Sequence, residues 1–308
     1  MNYRYISRHP LSAIKDKSAQ IRRRILKESP PEEKKFIPKQ PVPLVVPEIP
    51  TQEPLQFDWS AMSAEEQRTF FMENGFLGIS EALSKSELET IHRDLDHAGV
   101  TGLTDKIWHV SSLLPVIENE KIVGALRNIF GDEVRFFKGS FTDSPPGTVT
   151  AGKSTRTGYH VDYGGGEPEG DFRNSCASWV NVGIYLTELT RENSPLWVVP
   201  GSNRDYGILP CSDLEHMHAQ AEIVLAKPGD AIIFHCMTVH AGGHNFSSDG
   251  RRALYFSYRP AWARHVGPIP EWPREFVDSA PPERKRLLQD LNQGLSMDLI
   301  LRMRHLVD

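Results

Sequence analysis

Three side chains in this chain could share one metal ion. His160 and Asp162 are separated by Val161, and His240 lies 78 positions beyond Asp162. Two imidazoles and one carboxylate form the 2-His-1-carboxylate face, which holds non-haem Fe(II) and leaves coordination positions open for other ligands. On a β-strand, residues two apart point to the same face. The third ligand must then come from a distant strand. Arg251 follows His240 by 11 positions. Its guanidinium could hold the far carboxylate of a dicarboxylate that chelates the metal.

The segments around these residues read as the strands that must position them. Trp179 to Leu186 has the mixed apolar pattern of a strand, and Leu196 to Ser202 is an apolar run ending in a turn. Lys227-Pro-Gly-Asp230 has the chemistry of a tight turn. Ala231 to His235 then reads as a buried strand leading toward His240, and Ala253 to Tyr258 as another directly after Arg251 and Arg252. Short strands separated by Gly/Pro turns predict a β-sandwich or jelly roll.

At this point the chain resembles the phytanoyl-CoA dioxygenase family. The resemblance rests on His160-x-Asp162, Trp197-Val-Val-Pro-Gly-Ser202, Pro228-Gly-Asp230, Phe234-His235, His240-Ala-Gly242, and Asn245 with Arg251-Arg-Ala-Leu254, all in the family's order. It covers roughly residues 65–262. It implies an Fe(II)- and 2-oxoglutarate-dependent oxygenase on a double-stranded β-helix, mainly β with flanking helices. Carried over residue by residue, it makes His160, Asp162 and His240 the iron ligands and Arg251 the 2-oxoglutarate anchor, with Arg252 or Arg259 as fallbacks. Trp179 matches an aromatic lining the cosubstrate pocket. One departure is plain: many members have Gly-Ser after the distal histidine, where this chain has Ala241 and Gly242. A hydroxyl from Thr238, Ser257 or Tyr255 would have to substitute for that serine. The reaction implied is hydroxylation of an unactivated C–H bond of a small organic substrate, with O2 consumed and succinate and CO2 released. Desaturation or ring formation would use the same machinery.

Composition bounds the rest. The chain has 308 residues, 3 cysteines and a formal net charge of −5. Cys176, Cys211 and Cys236 show no Cys-x-x-Cys spacing, which speaks against a disulfide framework or zinc knuckle and suits a reducing cytoplasm. No secretory signal or 18-residue apolar run is visible. Residues 1–55 carry 11 Lys/Arg against 6 Asp/Glu and include nine prolines, whereas the remainder carries 24 against 34. We expect a basic, Pro-rich arm or linker over 1–55 and the oxygenase domain over 56–308. A short basic helix from Pro10 to Lys27 would give the arm a route to an anionic membrane surface, and so to a lipid or glycolipid substrate. The acidic body speaks against nucleic acid as a partner.

Along the body, Ser63-Ala-Glu-Glu66 predicts a helix ending near Asn74, then a strand over 75–79. Ser84-Lys-Ser-Glu87 opens a second helix with Leu88, Ile91 and Leu95 on one face. A third runs from about Glu118 to Phe130, with Ile122, Leu126 and Ile129 inward and Gly131 as its stop. Strands resume at Val134. Pro281 to Val307 has an apolar stripe suited to a helix on the outer face of the sheet. The Ser/Thr/Gly/Pro-rich stretch 142–157, with Lys138, Lys153 and Arg156 in or near it, should border the pocket. Tyr163-Gly-Gly-Gly166 suits a lid. A rival triad of His235, His240 and His244 would suit zinc, but leaves the His-x-Asp pair without a role. A β-helix that binds a ligand without turnover is the alternative from a different functional class.

Overall fold

The computed structural model describes residues 51, 53–104, 106–147, 160–162, 179–204, 220–263 and 272–289. The expected arm helix, the glycine-rich lid, Cys176, Cys211, Lys153, Arg156 and the end of the C-terminal stretch lie outside them.

Local signals set the first elements. Helix α1 (Ala64–Asn74) begins at a capping box: Ser63 Oγ accepts from the Glu66 N–H, and the Glu66 carboxylate accepts from the Ser63 N–H. Gly75 ends it in the left-handed region at φ 80°. Strand β1 (Phe76–Ile79) follows directly. Helix α2 (Lys85–Ala98) has the same capping box between Ser84 and Glu87 and buries Leu88, Ile91 and Leu95. Each such cap stabilises its helix by about 1 kcal/mol. After the short strand β2 (Gly102–Thr104) comes helix α3 (Glu120–Phe130). It starts two residues later than the sequence predicts, because Pro115–Glu118 forms a separate 3-10 turn and Asn119 is the cap.

The remaining strands are β3 (Val134–Ser144), β4 (Val180–Tyr185), β5 (Leu196–Val198), β6 (Glu222–Val224), β7 (Ala231–His235), β8 (His240–Gly242) and β9 (Arg251–Pro260). Six form an antiparallel sheet in the order β1-β7-β4-β9-β3-β2, and three form a second sheet in the order β6-β5-β8. This is the double-stranded β-helix with flanking helices that the resemblance implies. Short helices α4 (Arg274–Asp278) and α5 (Pro282–Leu288) close the described chain. Helix α5 is the start of the expected C-terminal helix, but it ends at Leu288, where Gln289 is extended. Its Arg284 forms a two-pronged ion pair with Glu118, at 2.7 and 2.6 Å.

Strand alternation sorts the large sheet into two faces. Val180, Val182, Ile184, Leu254, Phe256, Tyr258, Ala231 and Ile233 turn to the helices and join their buried apolar residues in one core. Phe76, Tyr185, Ile232, Phe234 and Ala253 turn the other way, meeting Leu196, Val198 and Val224 of the small sheet. The Lys227–Asp230 turn joins strands across this second core. Gly229 sits at φ 93°, where a Cβ would lie 2.5 Å from the Leu83 carbonyl oxygen. The Asp230 carboxylate accepts from the Lys227 and Glu81 N–H groups at 2.9 and 2.8 Å.

The folded unit reaches slightly before residue 56. The Leu55 N–H donates to the Ile223 carbonyl at 2.9 Å, and its side chain packs against the core between the sheets. Among the described residues, no helix is long and apolar enough to cross a membrane.

Candidate metal centre and its cavity

His240 is the first residue of β8, and β8 pairs with β5 in the small sheet. His160 lies against it as an isolated antiparallel bridge, each residue's N–H donating to the other's carbonyl at 3.0 Å. Asp162 is held by its backbone too, its N–H donating to the Cys236 carbonyl at 2.9 Å. His160 and Asp162 are thus fixed by main-chain bonds to one distant stretch, 236–240, which carries His240 itself. Their side chains converge: one ligand atom from each of His160, Asp162 and His240 lies within 4.8 Å of the others. Among the described residues no other cluster of His, Cys, Asp or Glu has this geometry.

Hydrogen bonding sets the state of these groups. His240 Nδ1 lies 2.9 Å from the Thr238 carbonyl oxygen. A carbonyl only accepts, so Nδ1 carries the proton and Nε2 presents its lone pair. Burial holds the His240 imidazole below its ordinary pKa, against the opposing pull of Asp162, which favours the neutral ring a metal needs. Asp162 sits between the rings, with Oδ1 3.6 Å from His160 Nε2 and Oδ2 3.7 Å from His240 Nε2. The His240 side chain is only 8% exposed and that of His160 is 42% exposed, so the site opens on the His160 side. Two nitrogens and one carboxylate oxygen, one side open, fit a redox-active divalent ion of the Fe(II) type.

The triad lines a cavity of about 480 Å³ between the sheets. Arg251 opens β9 and faces the same cavity, while alternation sends its neighbour Arg252 the other way. Arg252 is bound to Asp143 at 2.9 Å and Asp96 at 2.7 Å. Arg259 is buried and donates to the Ala263 carbonyl. Among the described residues, Arg251 is therefore the cation of the cavity. Its guanidinium lies over the rings of Tyr185 and Tyr255, 5.6 and 5.9 Å from their centroids, and donates to the Tyr255 hydroxyl. It has no carboxylate partner among the described residues, and its Nε is buried without a hydrogen bond. A buried cation left this way is costly unless an anion joins it.

Trp179 does not line this cavity. It lies just beyond the start of β4, with its ring edge-on to Phe137 at 5.8 Å and its Nε1 buried. Tyr255 and Phe234 are aromatic residues in the lining instead. The three candidate hydroxyls also separate. Thr238 Oγ1 is fully buried and donates to the Gly75 carbonyl at 2.7 Å. Ser257 Oγ donates to Asn181. Tyr255 alone of the three is in the cavity. From the stretch expected to border the pocket, Thr142, Asp143, Ser144 and Pro145 do so, whereas Lys138 is exposed. His235 belongs to the core rather than to a zinc triad. Its Nδ1 accepts from the Met237 N–H at 3.0 Å, and its Nε2 is buried without a partner. Cys236 is buried in the manner of a small apolar residue.

Asn181 was not legible as a functional residue. Its Nδ2 donates to Asp162 Oδ2 at 2.6 Å. The signal was an amide set between Val180 and Val182 in the middle of a strand, where Asn is depleted.

The phytanoyl-CoA dioxygenase (PhyH) family matches residues 111–253. The chain is 23% identical over 240 residues to a probable alpha-ketoglutarate-dependent hypophosphite dioxygenase of Stutzerimonas stutzeri, covering 65% of this chain and 79% of that protein. It is 32% identical over 110 residues to the dioxygenase andF of Emericella variicolor, covering 35% of this chain and only 37% of that protein. Among solved structures, the non-heme alpha ketoglutarate dependent epimerase SnoN from nogalamycin biosynthesis superposes with a TM-score of 0.52 at 16% identity, covering 66% of this chain and 85% of its own. That likeness is one of fold. Residues 111–253, which match the phytanoyl-CoA dioxygenase family, contain the three converging side chains and Arg251.

Proposed function

We propose that the chain is an Fe(II)- and 2-oxoglutarate-dependent dioxygenase that hydroxylates an unactivated C–H bond of a small organic substrate. The observation that carries this reading is a single cavity holding both a His-Asp-His face and a buried arginine without a carboxylate partner among the described residues. A metal chelator with a second, distant carboxylate satisfies both at once.

In this reading His160, Asp162 and His240 hold the iron, and Arg251 pairs with the C5 carboxylate of 2-oxoglutarate. The metal, 2-oxoglutarate and O2 supply the oxidising power, one oxygen atom entering the substrate and the other entering succinate as CO2 leaves. The chain's own residues position and shield. Thr238 keeps the His240 proton on Nδ1. The Tyr185 and Tyr255 rings hold the Arg251 guanidinium in place. The Tyr255 hydroxyl supplies the cavity group that Gly242 lacks. Phe234 and Leu196 give the cavity apolar walls that exclude water. Substrate enters from the exposed His160 side. The domain expected over 56–308, extended to include Leu55, carries this activity, with the preceding basic segment as an arm outside it. The cytoplasm, which keeps iron ferrous, suits such a site.

The test is succinate release from 2-oxoglutarate with Fe(II), ascorbate and a panel of candidate substrates. Wild-type protein should turn over 2-oxoglutarate, and Asp162→Ala should not. A variant lacking Asp162 that releases succinate at the wild-type rate would overturn the ligand assignment.

A further inference from the structure

Asp162 is the one acidic member of the triad, and its carboxylate can rotate about two side-chain bonds. Its backbone bond to Cys236 fixes where the residue sits but not which oxygen faces the imidazoles. A side-chain partner does that. Asn181 Nδ2 donates to Asp162 Oδ2 at 2.6 Å, occupying one lone pair of that oxygen.

An amide can itself be turned end for end, but the Asp162 carboxylate only accepts, so the amide nitrogen faces it. Ser257 then holds the other end. Its hydroxyl donates to Asn181 Oδ1 at 2.5 Å and keeps the amide plane aimed at Asp162. Asn181 and Ser257 stand directly opposite each other in the register of β4 and β9, the two middle strands of the six-stranded sheet. The orientation of Asp162 is thus referred to the centre of the sheet.

Two polar side chains here are not explained by folding. The flanking Val180 and Val182 are fully buried apolar residues. A cross-strand pair of β-branched residues would serve the sheet better. Local preference broken at a strand centre points to a role in the site.

We infer that Asn181, locked by Ser257, is a positioning residue that holds the Asp162 carboxylate ready for the metal. The inference rests on the metal-dependent reading above. Partners of this kind around metal ligands change affinity by roughly 10- to 100-fold when removed.

The experiment is calorimetric titration of the metal-free full-length protein with Co(II), alongside the visible spectrum of the Co(II) form and thermal melting in chelator. Asn181→Ala should weaken Co(II) binding by about 10-fold or more and shift the visible bands, because Asp162 is released. Ser257→Ala leaves Asn181 in place and should weaken binding less, by about 3-fold, with only a small drop in the metal-free melting temperature. It decides the matter if Asn181→Ala does not fold. The double variant should bind no more weakly than Asn181→Ala, since Ser257 acts only through the amide. Additive losses would break the relay. Wild-type protein that takes up no Co(II) would sink the metal-dependent reading itself. Wild-type uptake, with variant affinities and spectra unchanged, would sink only the role given to Asn181 and Ser257.

Discussion

The Thr238 hydroxyl donates to the Gly75 carbonyl at 2.7 Å, and the Thr238 carbonyl accepts from His240 Nδ1 at 2.9 Å. One residue therefore ties the end of helix α1 to the orientation of a metal-facing imidazole. The Gly75 carbonyl also accepts from the His235 N–H at 2.8 Å, so the helix cap holds both His235 and Thr238.

Gly75 is at φ 80°, and a Cβ there would lie 2.4 Å from Thr238 Oγ1. Gly75→Ala should destabilise the fold by roughly 2 kcal/mol from backbone strain alone, read by urea unfolding. It should also weaken metal binding, because Thr238 must move. Thr238→Val removes the hydroxyl and keeps the shape. It should cost about 1 kcal/mol of stability and loosen His240 without the backbone strain. Unchanged Co(II) affinity in both variants would show that the cap does not support the site.

Arg251 offers a test with two signs. Met fits between the two tyrosine rings without a buried charge, so Arg251→Met should leave the metal-free protein as stable as wild type or more so. The same change should raise the KM for 2-oxoglutarate by roughly 100-fold, the scale of removing one partner from a buried charge pair. It should also abolish the rise in melting temperature caused by the cosubstrate. A destabilised variant with an unchanged KM would make Arg251 structural.

His235 predicts an acid-sensitive fold. Burial lowers its pKa from 6.5 to about 4. Between those values the unfolded chain binds a proton that the folded chain refuses, so stability falls as pH drops from about 6.5 to 4 and levels off below. The full loss is roughly 3 kcal/mol. The buried His240 imidazole contributes in the same direction. Urea unfolding of the metal-free protein across this range should show the slope, and His235→Leu should flatten it. An equal slope in the variant would assign the titration elsewhere.

Leu55 sets the practical edge of the domain. A protein shortened to begin at Thr51 should match full-length protein in melting temperature and in 2-oxoglutarate turnover. One beginning at Gln56 loses the Leu55 bond to Ile223 and its packing, and should melt lower by the equivalent of roughly 1–3 kcal/mol. Loss of turnover in the longer form would give the arm a part in catalysis.

Much of this architecture is local and so could be read along the chain. Ser63 with Glu66, Ser84 with Glu87, and Gly131 mark helix ends because a cap needs only its own neighbours. The strands around His160, Asp162 and His240 show through the two-residue period, and the ligand set shows through residue type and order. What the fold alone decided depends on which strands lie side by side. Asn181 meets Ser257 only because β4 and β9 pair in that register. Trp179 packs on Phe137 instead of lining the cavity, and Thr238 serves Gly75 rather than the cavity, because partners distant in sequence reach them first. Spacing fixes which face of a strand a residue occupies. The partner waiting on that face is set by the long-range packing of the two sheets, and no local pattern encodes it.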